Sequence, residues 1–317
     1  MKQLEGVSLM RNQLQLDGKG WGMLILLSIL WGGSFLFIEI ALEELAPITI
    51  VTARITMAGI ASYILLKLTG GSMPRNWPIW RAFLLLAVVN NITPFMLIVW
   101  GQQYVMGGIA AILNASTPVF AVIIAQIFTD DEKLSVHKVA GLLIAIFGLS
   151  VVIGFETIFA FSLENIGQIA ILAAGLSYAV GTVYGRRFGK EGIQPLTVAT
   201  GQFAMGVLLM VPFLLITNPD ILTQSISYRV LGALLALGIV CTSIAYMLYF
   251  RLVATVGATN TTLVTLLVPV SAMWLTWLVL GEQLPPSAFA GMAVIALGLL
   301  ILDGRVLKWL KAKTAAA

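Results

Sequence analysis

The chain has 317 residues, of which 59% are hydrophobic and only 10% are charged, and its mean hydropathy is +0.99. This composition excludes a water-soluble globular protein, because nearly every window of about 19 residues is apolar enough to lie in a bilayer. The net charge of +4 comes from basic residues that flank the apolar runs, where they face anionic lipid, so no nucleic-acid partner is expected.

Ten apolar runs, separated by short polar breaks, follow one another along the chain. Each run is long enough to cross a hydrocarbon core of roughly 30 Å at a rise of about 1.5 Å per residue. We therefore predict an all-α polytopic membrane protein with ten transmembrane helices. The predicted spans are 20–42, 47–68, 78–101, 104–129, 136–155, 166–187, 194–217, 228–253, 257–280 and 286–301.

The basic residues predict the orientation of these spans. With the first segment in the cytoplasm, all of the 18 Lys and Arg residues except Arg54 and Arg229 fall on the cytoplasmic side. Basic residues are disfavoured in loops that must cross the membrane during insertion. We therefore expect both termini in the cytoplasm and a multi-pass protein of the cell membrane, which suits a bacterial inner membrane. Membrane lipids are expected partners, and the sequence is compatible with a monomer or a homodimer.

The chain repeats itself at a spacing of about 150 residues. When 108–153 is aligned with 257–302, Glu132 matches Glu282, and Pro118 matches Pro269 within one residue. Two five-helix repeats explain this pattern, and because five is odd, the second copy must be inverted in the membrane. We predict a cytoplasmic N-terminal segment over 1–19, repeats over 20–155 and 156–303, and a basic cytoplasmic tail over 304–317.

Several stretches resemble one known family. They read LSILWGGSFLFIEIAL over 27–42, APITIVTARITMAGI over 46–60, AGLLIAIFGLSVVIG over 140–154 and GEQLPPSAFAGMAVIALGLLIL over 281–302. The chain resembles the EamA-type transporters of the drug/metabolite transporter superfamily over almost its whole length. The resemblance implies a ten-helix exporter or facilitator of small polar or amphipathic metabolites. Because that family serves amino acids, sugars, nucleotides and cationic drugs, its motifs leave the substrate open.

Polar and aromatic side chains near the middle of the spans are candidates for a substrate site. Unpaired amides are costly in hydrocarbon and should face a cavity or another helix. Aromatic walls with a few amides suit amino acids or amphipathic cations. The alternative is that the amides join neighbouring helices and that most tryptophans anchor the span ends. The candidate substrate residues are Trp31, Ser34, Asn90, Asn91, Trp100, Asn114, Tyr178, Thr242, Tyr246, Tyr249 and Thr265.

Helix-breaking residues inside the spans are candidate hinges, because they weaken or remove backbone hydrogen bonds. The candidates are Gly32, Gly33, Pro94, Pro118 and Pro269. The alternative role, close helix packing through small residues, is favoured for four glycines that are spaced at seven on one helix face. These are Gly141, Gly148, Gly291 and Gly298.

Arg54 is the one charge inside a span, about 10 Å below the outer edge of span two. An intramembrane charge needs a partner. Glu39 or Glu43, near the outer end of span one, could supply it, and we predict a structural charge pair between Arg54 and Glu39. The functional alternative is that Arg54 attracts a carboxylate of the substrate.

The 14 Asp and Glu residues lie outside the spans or near their ends, so no mid-membrane carboxylate is expected to carry a proton. Facilitated diffusion or exchange is therefore favoured over proton antiport. One histidine, His137 in a cytoplasmic loop, and one cysteine, Cys241, leave no material for a nucleophile with its base, a metal site or a disulfide. We expect no catalytic residues, no metal and no cofactor, and hence not an enzyme.

We predict a secondary transporter that binds a small molecule and exports amino acids or related compounds by alternating access between inverted repeats. A proton-coupled exporter of cationic drugs is the alternative. A sensor or assembly protein that transports nothing is a remote one.

Overall fold

The structure is a computed structural model that describes residues 17–128, 136–154 and 162–303. The N-terminal 16 residues, the tail over 304–317 and the predicted span ends at Thr129 and Phe155 lie outside these ranges. Ten apolar helices follow one another in the described part of the chain. They are α1 (Gly18–Leu42), α2 (Pro47–Leu68), α3 (Trp77–Gly101), α4 (Gly107–Phe128), α5 (Val136–Ile153), α6 (Leu163–Lys190), α7 (Pro195–Thr217), α8 (Tyr228–Val256), α9 (Val264–Leu280) and α10 (Pro286–Asp303).

The all-α, ten-helix prediction is confirmed. Eight of these helices have at least 18 residues and a strongly apolar window, and the apolar stretches of α9 and α10 are slightly shorter. The bounds of α2 agree with the predicted span at both ends, whereas α6 begins three residues earlier than predicted. It does so because the Ser162 side chain accepts a hydrogen bond from the Asn165 N–H and caps the helix (3.2 Å). The end of each helix that is predicted to face away from the cytoplasm is called its outer end.

Helices α5 and α10 pack through glycines, as the spacing of seven predicts. A methyl group on Gly298 would come within 2.5 Å of the Ala145 backbone nitrogen, and one on Gly148 within 2.7 Å of the Ile295 nitrogen. Helices in lipid associate through close van der Waals packing rather than the hydrophobic effect. The glycines therefore bring one helix of each repeat into direct backbone contact.

Two helices contain π-helical segments that no sequence pattern predicts. They are Val88–Ile92 in α3 and Ala236–Ile244 in α8, at corresponding positions of the two repeats. A π segment disturbs the regular backbone hydrogen bonds and is often found at functional sites. Hydroxyl groups bond to carbonyls in both segments: Ser177 donates to the Val89 carbonyl (2.6 Å) and Thr242 to the Leu237 carbonyl (2.7 Å).

The predicted hinge residues fall in different settings. Pro94 is the second residue after the π segment of α3, and Pro118 is the second residue after a break in the α-helix at 115–116. By contrast, the helix is continuous at Gly32, Gly33 and Pro269. A methyl group on Gly32 would lie 2.8 Å from the Ala272 nitrogen of α9, so this glycine permits close packing of α1 on α9. A hinge role for the five residues stays a prediction.

Candidate substrate site and outer clamp

Aromatic candidates from α1 and α8 meet near the middle of the bundle. The Trp31 ring centre lies 5.5 Å from that of Tyr249 and 6.5 Å from that of Tyr246. Tyr246 also packs edge-on against Phe203 of α7, at 6.0 Å between ring centres. Trp31 is therefore part of an aromatic wall shared by both repeats, and not an interfacial anchor.

Amide side chains lie beside this wall. Asn90, on the π segment of α3, donates from Nδ2 to the Gln202 Oε1 of α7 (3.2 Å) and also contacts Tyr246. Asn91 is fully buried, yet neither its Nδ2 nor its Oδ1 has a hydrogen-bond partner among the described residues. Asn114 Oδ1 likewise has no partner among the described residues, whereas the Ser34 hydroxyl contacts the Cys241 thiol. Buried polar groups without partners are costly in an apolar interior, so such groups are expected where a polar ligand or water can enter.

The predicted charge pair between Arg54 and Glu39 is wrong. Arg54 Nε donates to the Thr242 hydroxyl of α8 (3.1 Å), and the guanidinium lies over the Phe95 ring of α3, 3.8 Å from its centre. Phe95 in turn packs edge-on against Tyr178 of α6, at 6.4 Å between ring centres. Arg54 is thus turned toward the middle of the bundle and away from the acidic residues at its outer end.

The residues that these hydrogen bonds and ring contacts connect are called the central cluster. It consists of Trp31, Arg54, Asn90, Phe95, Tyr178, Gln202, Phe203, Thr242, Tyr246 and Tyr249. Six of these are predicted substrate residues, and Arg54 is the residue predicted to form a charge pair. Gln202, Phe203 and Phe95 are not predicted, because none of the predicted candidates lies on α7 and Phe95 is, by its sequence alone, an ordinary apolar residue.

Other candidates lie apart from the contacts that join the central cluster. Trp100 packs against Tyr104 at the outer end of α3, at 5.2 Å between ring centres. The Thr265 hydroxyl donates to the Thr262 carbonyl of its own chain segment (2.7 Å). A substrate role stays a prediction for these two residues, as it does for the members of the central cluster.

Glu39 has a different partner at the outer end of the bundle. The first N–H of α4, at Gly107, donates to Glu39 Oε2 (3.1 Å) and to Glu282 Oε1 (2.9 Å). The Gly108 N–H donates to Glu282 Oε2 (3.2 Å). The first N–H groups of a helix lack intrahelical acceptors and carry partial positive charge, so carboxylates bind there. We call this arrangement the outer clamp; it joins α1 and α4 of the first repeat to the α9–α10 turn of the second.

Further polar contacts join the outer ends of the two repeats. Glu43, the other predicted candidate partner of Arg54, forms an ion pair with Arg229 (3.0 Å). The neighbouring Glu44 accepts from the Ser227 N–H (2.9 Å), and hydrogen bonds from Ser227 hold the pKa of Glu44 below its usual value.

A cavity of about 300 Å³ lies at the outer end, between α2, α7 and α8. Its lining includes Thr49, Thr52 and Thr56 on one face of α2, together with apolar residues. None of the predicted substrate residues lines it. By helical periodicity Arg54 projects from a different face of α2, so this cavity is separate from the central cluster.

Comparison with known proteins decides the family. The model of the EamA-like transporter family matches the chain twice, over residues 18–154 and 165–302. The chain belongs to the EamA-like transporter family. It is therefore a multi-pass membrane transporter with a small-molecule substrate and not an enzyme, as the sequence predicts.

Relatives of this EamA-like chain include the uncharacterized inner membrane transporter YedA of Escherichia coli K12. It is 30% identical over 286 residues, which are 89% of each chain. The uncharacterized transporter YoaV of Bacillus subtilis is 21% identical over 87% of this chain and 94% of its own length. A probable terminal-alkyne amino-acid exporter of Streptantibioticus cattleyicolor is 25% identical over 90% of this chain and 93% of its own.

A solved crystal structure has the same fold. It superposes with a TM-score of 0.65 at 19% identity and covers 88% of this EamA-like chain and 97% of its own.

Proposed function

We propose that this EamA-like transporter exports amino acids or related amphipathic metabolites, by alternating access of the central cluster to the two sides of the membrane. The observation that supports this most is the central cluster itself. It combines aromatic rings, amides and one guanidinium at the depth where transporters of inverted repeats bind their substrates.

The composition of the cluster fits an amphipathic substrate. The wall formed by Trp31, Tyr246 and Tyr249 offers apolar faces with hydroxyl and indole N–H groups. Asn90 offers an amide beside this wall, since it bonds to Gln202 and contacts Tyr246. Such a site stacks an apolar side chain or ammonium group on rings and bonds polar groups through amides. The relative named as a probable amino-acid exporter agrees with this choice.

We further propose that the protein lies in a bacterial inner membrane with both termini in the cytoplasm. The distribution of basic residues supports this orientation, and YedA is named as an inner membrane transporter. The alternating-access step requires the outer clamp to open, because it joins the two repeats on one side only.

Counterflow into liposomes that contain the purified full chain tests the proposal. Vesicles loaded with an unlabelled amino acid should accumulate the same labelled amino acid, with or without an imposed pH gradient. Trp31→Ala should weaken uptake, whereas Trp277→Ala, on an exposed face of α9, should not. If no amino acid showed counterflow while a cationic dye accumulated only with a pH gradient, the proposal would be overturned in favour of a proton-coupled drug exporter.

A further inference from the structure

Arg54 is the most unusual charged residue of the interior. Its side chain is only 7% exposed, and it lies about 10 Å from the outer end of α2. An ionised group at this depth is expensive unless a partner of opposite charge or a set of hydrogen bonds compensates it. Its surroundings therefore indicate what it binds.

The surroundings of Arg54 are neutral. The titratable groups that act on it electrostatically are Tyr178, Cys241 and Tyr246, and in the described part of the chain no carboxylate lies within ion-pair distance of it. The acidic residues that could have reached it are engaged elsewhere. Glu39 is bound at the start of α4, and Glu43 is bound to Arg229. The protein thus keeps an arginine inside the membrane without giving it an anion.

The contacts of Arg54 leave one edge of the guanidinium available. Thr242 donates its hydroxyl hydrogen to the Leu237 carbonyl (2.7 Å), so its oxygen accepts from Arg54 Nε (3.1 Å). Phe95 supports the flat face of the guanidinium at 3.8 Å. Among the described residues, the two terminal amino groups have no hydrogen-bond acceptor. Two parallel N–H groups at this edge match the two oxygens of a carboxylate.

We infer that Arg54 binds the carboxylate of the substrate, and that the central cluster selects amphipathic monocarboxylates such as neutral amino acids. The inference rests on the proposed function. Helix α8 connects the two parts of the site, because its Thr242 accepts from Arg54 and its Tyr246, four residues later, packs against Trp31. The carboxylate binds Arg54, while the apolar side chain and the ammonium group lie against the aromatic wall. Among the described residues, the site has no carboxylate that could pair with the cationic group of a drug. It therefore disfavours cationic drugs.

Matched ligands test this inference in the wild-type protein. Leucine and phenylalanine are compared with leucinamide and phenylalaninamide as substrates for counterflow in liposomes. In each amide, a neutral carboxamide replaces the carboxylate and the rest of the molecule is unchanged. The deaminated acids, 4-methylpentanoate and 3-phenylpropionate, are added as unlabelled competitors. We expect each amino acid to be favoured over its amide by roughly tenfold or more, the range for a lost charge-assisted hydrogen bond. The deaminated acids should compete.

Variants of one helix provide the second test. Arg54→Met keeps the length of the side chain and should raise the apparent KM for leucine roughly tenfold or more. Arg54→Lys keeps the charge without the paired N–H groups and should fall between Arg54→Met and the wild type. Lys67→Met, at the exposed cytoplasmic end of the same helix, should leave KM unchanged. Size-exclusion profiles in detergent show whether each variant is folded.

The outcomes separate this inference from the proposed function. Equal counterflow of amino acid and amide would leave an amino-acid transporter in place but would overturn the role of Arg54. So would a folded Arg54→Met variant with wild-type KM. If neither the amino acids nor their amides moved, the proposed function would fall, and the inference with it.

Discussion

The contact between α5 and α10 gives a prediction whose size follows directly from the coordinates. We consider Gly298→Ala in α10. The added methyl group would lie 2.5 Å from the Ala145 nitrogen, 2.8 Å from the Gly141 oxygen and 2.9 Å from the Ala145 α-carbon. All three are backbone atoms of α5, so no change of side-chain rotamer can relieve the overlap.

The expected cost follows from the distance by which the helices must separate. Ordinary contacts of a β-carbon begin near 3.4 Å, so α5 and α10 must move apart by about 1 Å. Overpacking of this kind costs about 1–3 kcal/mol, because neighbouring atoms along the helix pair lose part of their van der Waals attraction. Alanine also favours a helix over glycine by about 1 kcal/mol, which opposes the loss.

A matched control removes the helix-propensity contribution. Gly185 lies inside α6, and a methyl group placed on it would meet nothing within 4 Å. Gly185→Ala therefore gains helix propensity without overlap. The difference in unfolding free energy between the two variants should equal the steric cost, about 1–3 kcal/mol, with Gly298→Ala the less stable.

The assay is unfolding of the purified protein in mixed micelles by increasing SDS, followed by far-ultraviolet circular dichroism. Both variants and the wild type are measured in the same detergent. A Gly298→Ala variant as stable as Gly185→Ala would refute the direct backbone contact between the two repeats at this position.

Three further outcomes are expected from other contacts. Thr242→Val removes the acceptor that positions the buried guanidinium, so the apparent KM for an amino acid in counterflow should rise about twofold to tenfold. Glu282→Ala removes the two acceptor oxygens that the second repeat contributes to the outer clamp. Alkylation of buried Cys241 by an impermeant maleimide should then become faster from the outer side only, and an unchanged rate would contradict a gating role of the outer clamp. The pKa of Glu44 is lowered in the folded protein, so its bond to Ser227 stabilises the outer turn at neutral pH and is lost as acidification protonates the carboxylate. Hydrogen exchange of the Ser227 amide, measured at constant temperature and corrected for its intrinsic pH dependence, should therefore show protection that falls in acid.

The spans were predictable because lipid allows few alternatives. Backbone groups cannot remain unpaired in hydrocarbon, so a long apolar run must form a helix, and polar breaks must lie near its ends. This is why the bounds of α2 agree with prediction and why most other helices differ by only a few residues. The exception is α9, which begins seven residues later than the predicted span 257–280 because a turn at 262–263 separates it from the short helix Ala258–Thr261. The glycine contact was also predictable, since small residues at a spacing of seven share one helix face.

For the candidate site, the sequence predicted only the depth of its side chains in the membrane. Counting residues from the span ends places Trp31 and Tyr246 near the middle of the membrane. It does not determine which helices face them, and so Gln202 and Phe203 of α7 were missed. The π segments were missed for a related reason: the one in α8 contains no proline that marks it in the sequence.

The error over Arg54 shows what depth alone cannot decide. Glu39 and Arg54 come from neighbouring spans and carry opposite charges, which favours a pair when only the sequence is considered. The structure instead provides Glu39 with the free N–H of Gly107 at the start of α4, and Arg54 with Thr242 and Phe95. Both alternatives come from helices whose proximity depends on how the bundle packs.

Composition and periodicity by themselves determined that this protein is a ten-helix membrane protein with two repeats, because hydrophobic length and unpaired backbone groups constrain each segment independently of the others. Only the tertiary structure decided which polar groups meet. Hydrogen bonds and ring contacts act over a few ångströms, yet they join residues that are far apart in the chain. Trp31 and Tyr249, for example, are more than 200 positions apart. Arg54 without an anion, and two glutamates on one helix N-terminus, exist only once the two repeats are packed together.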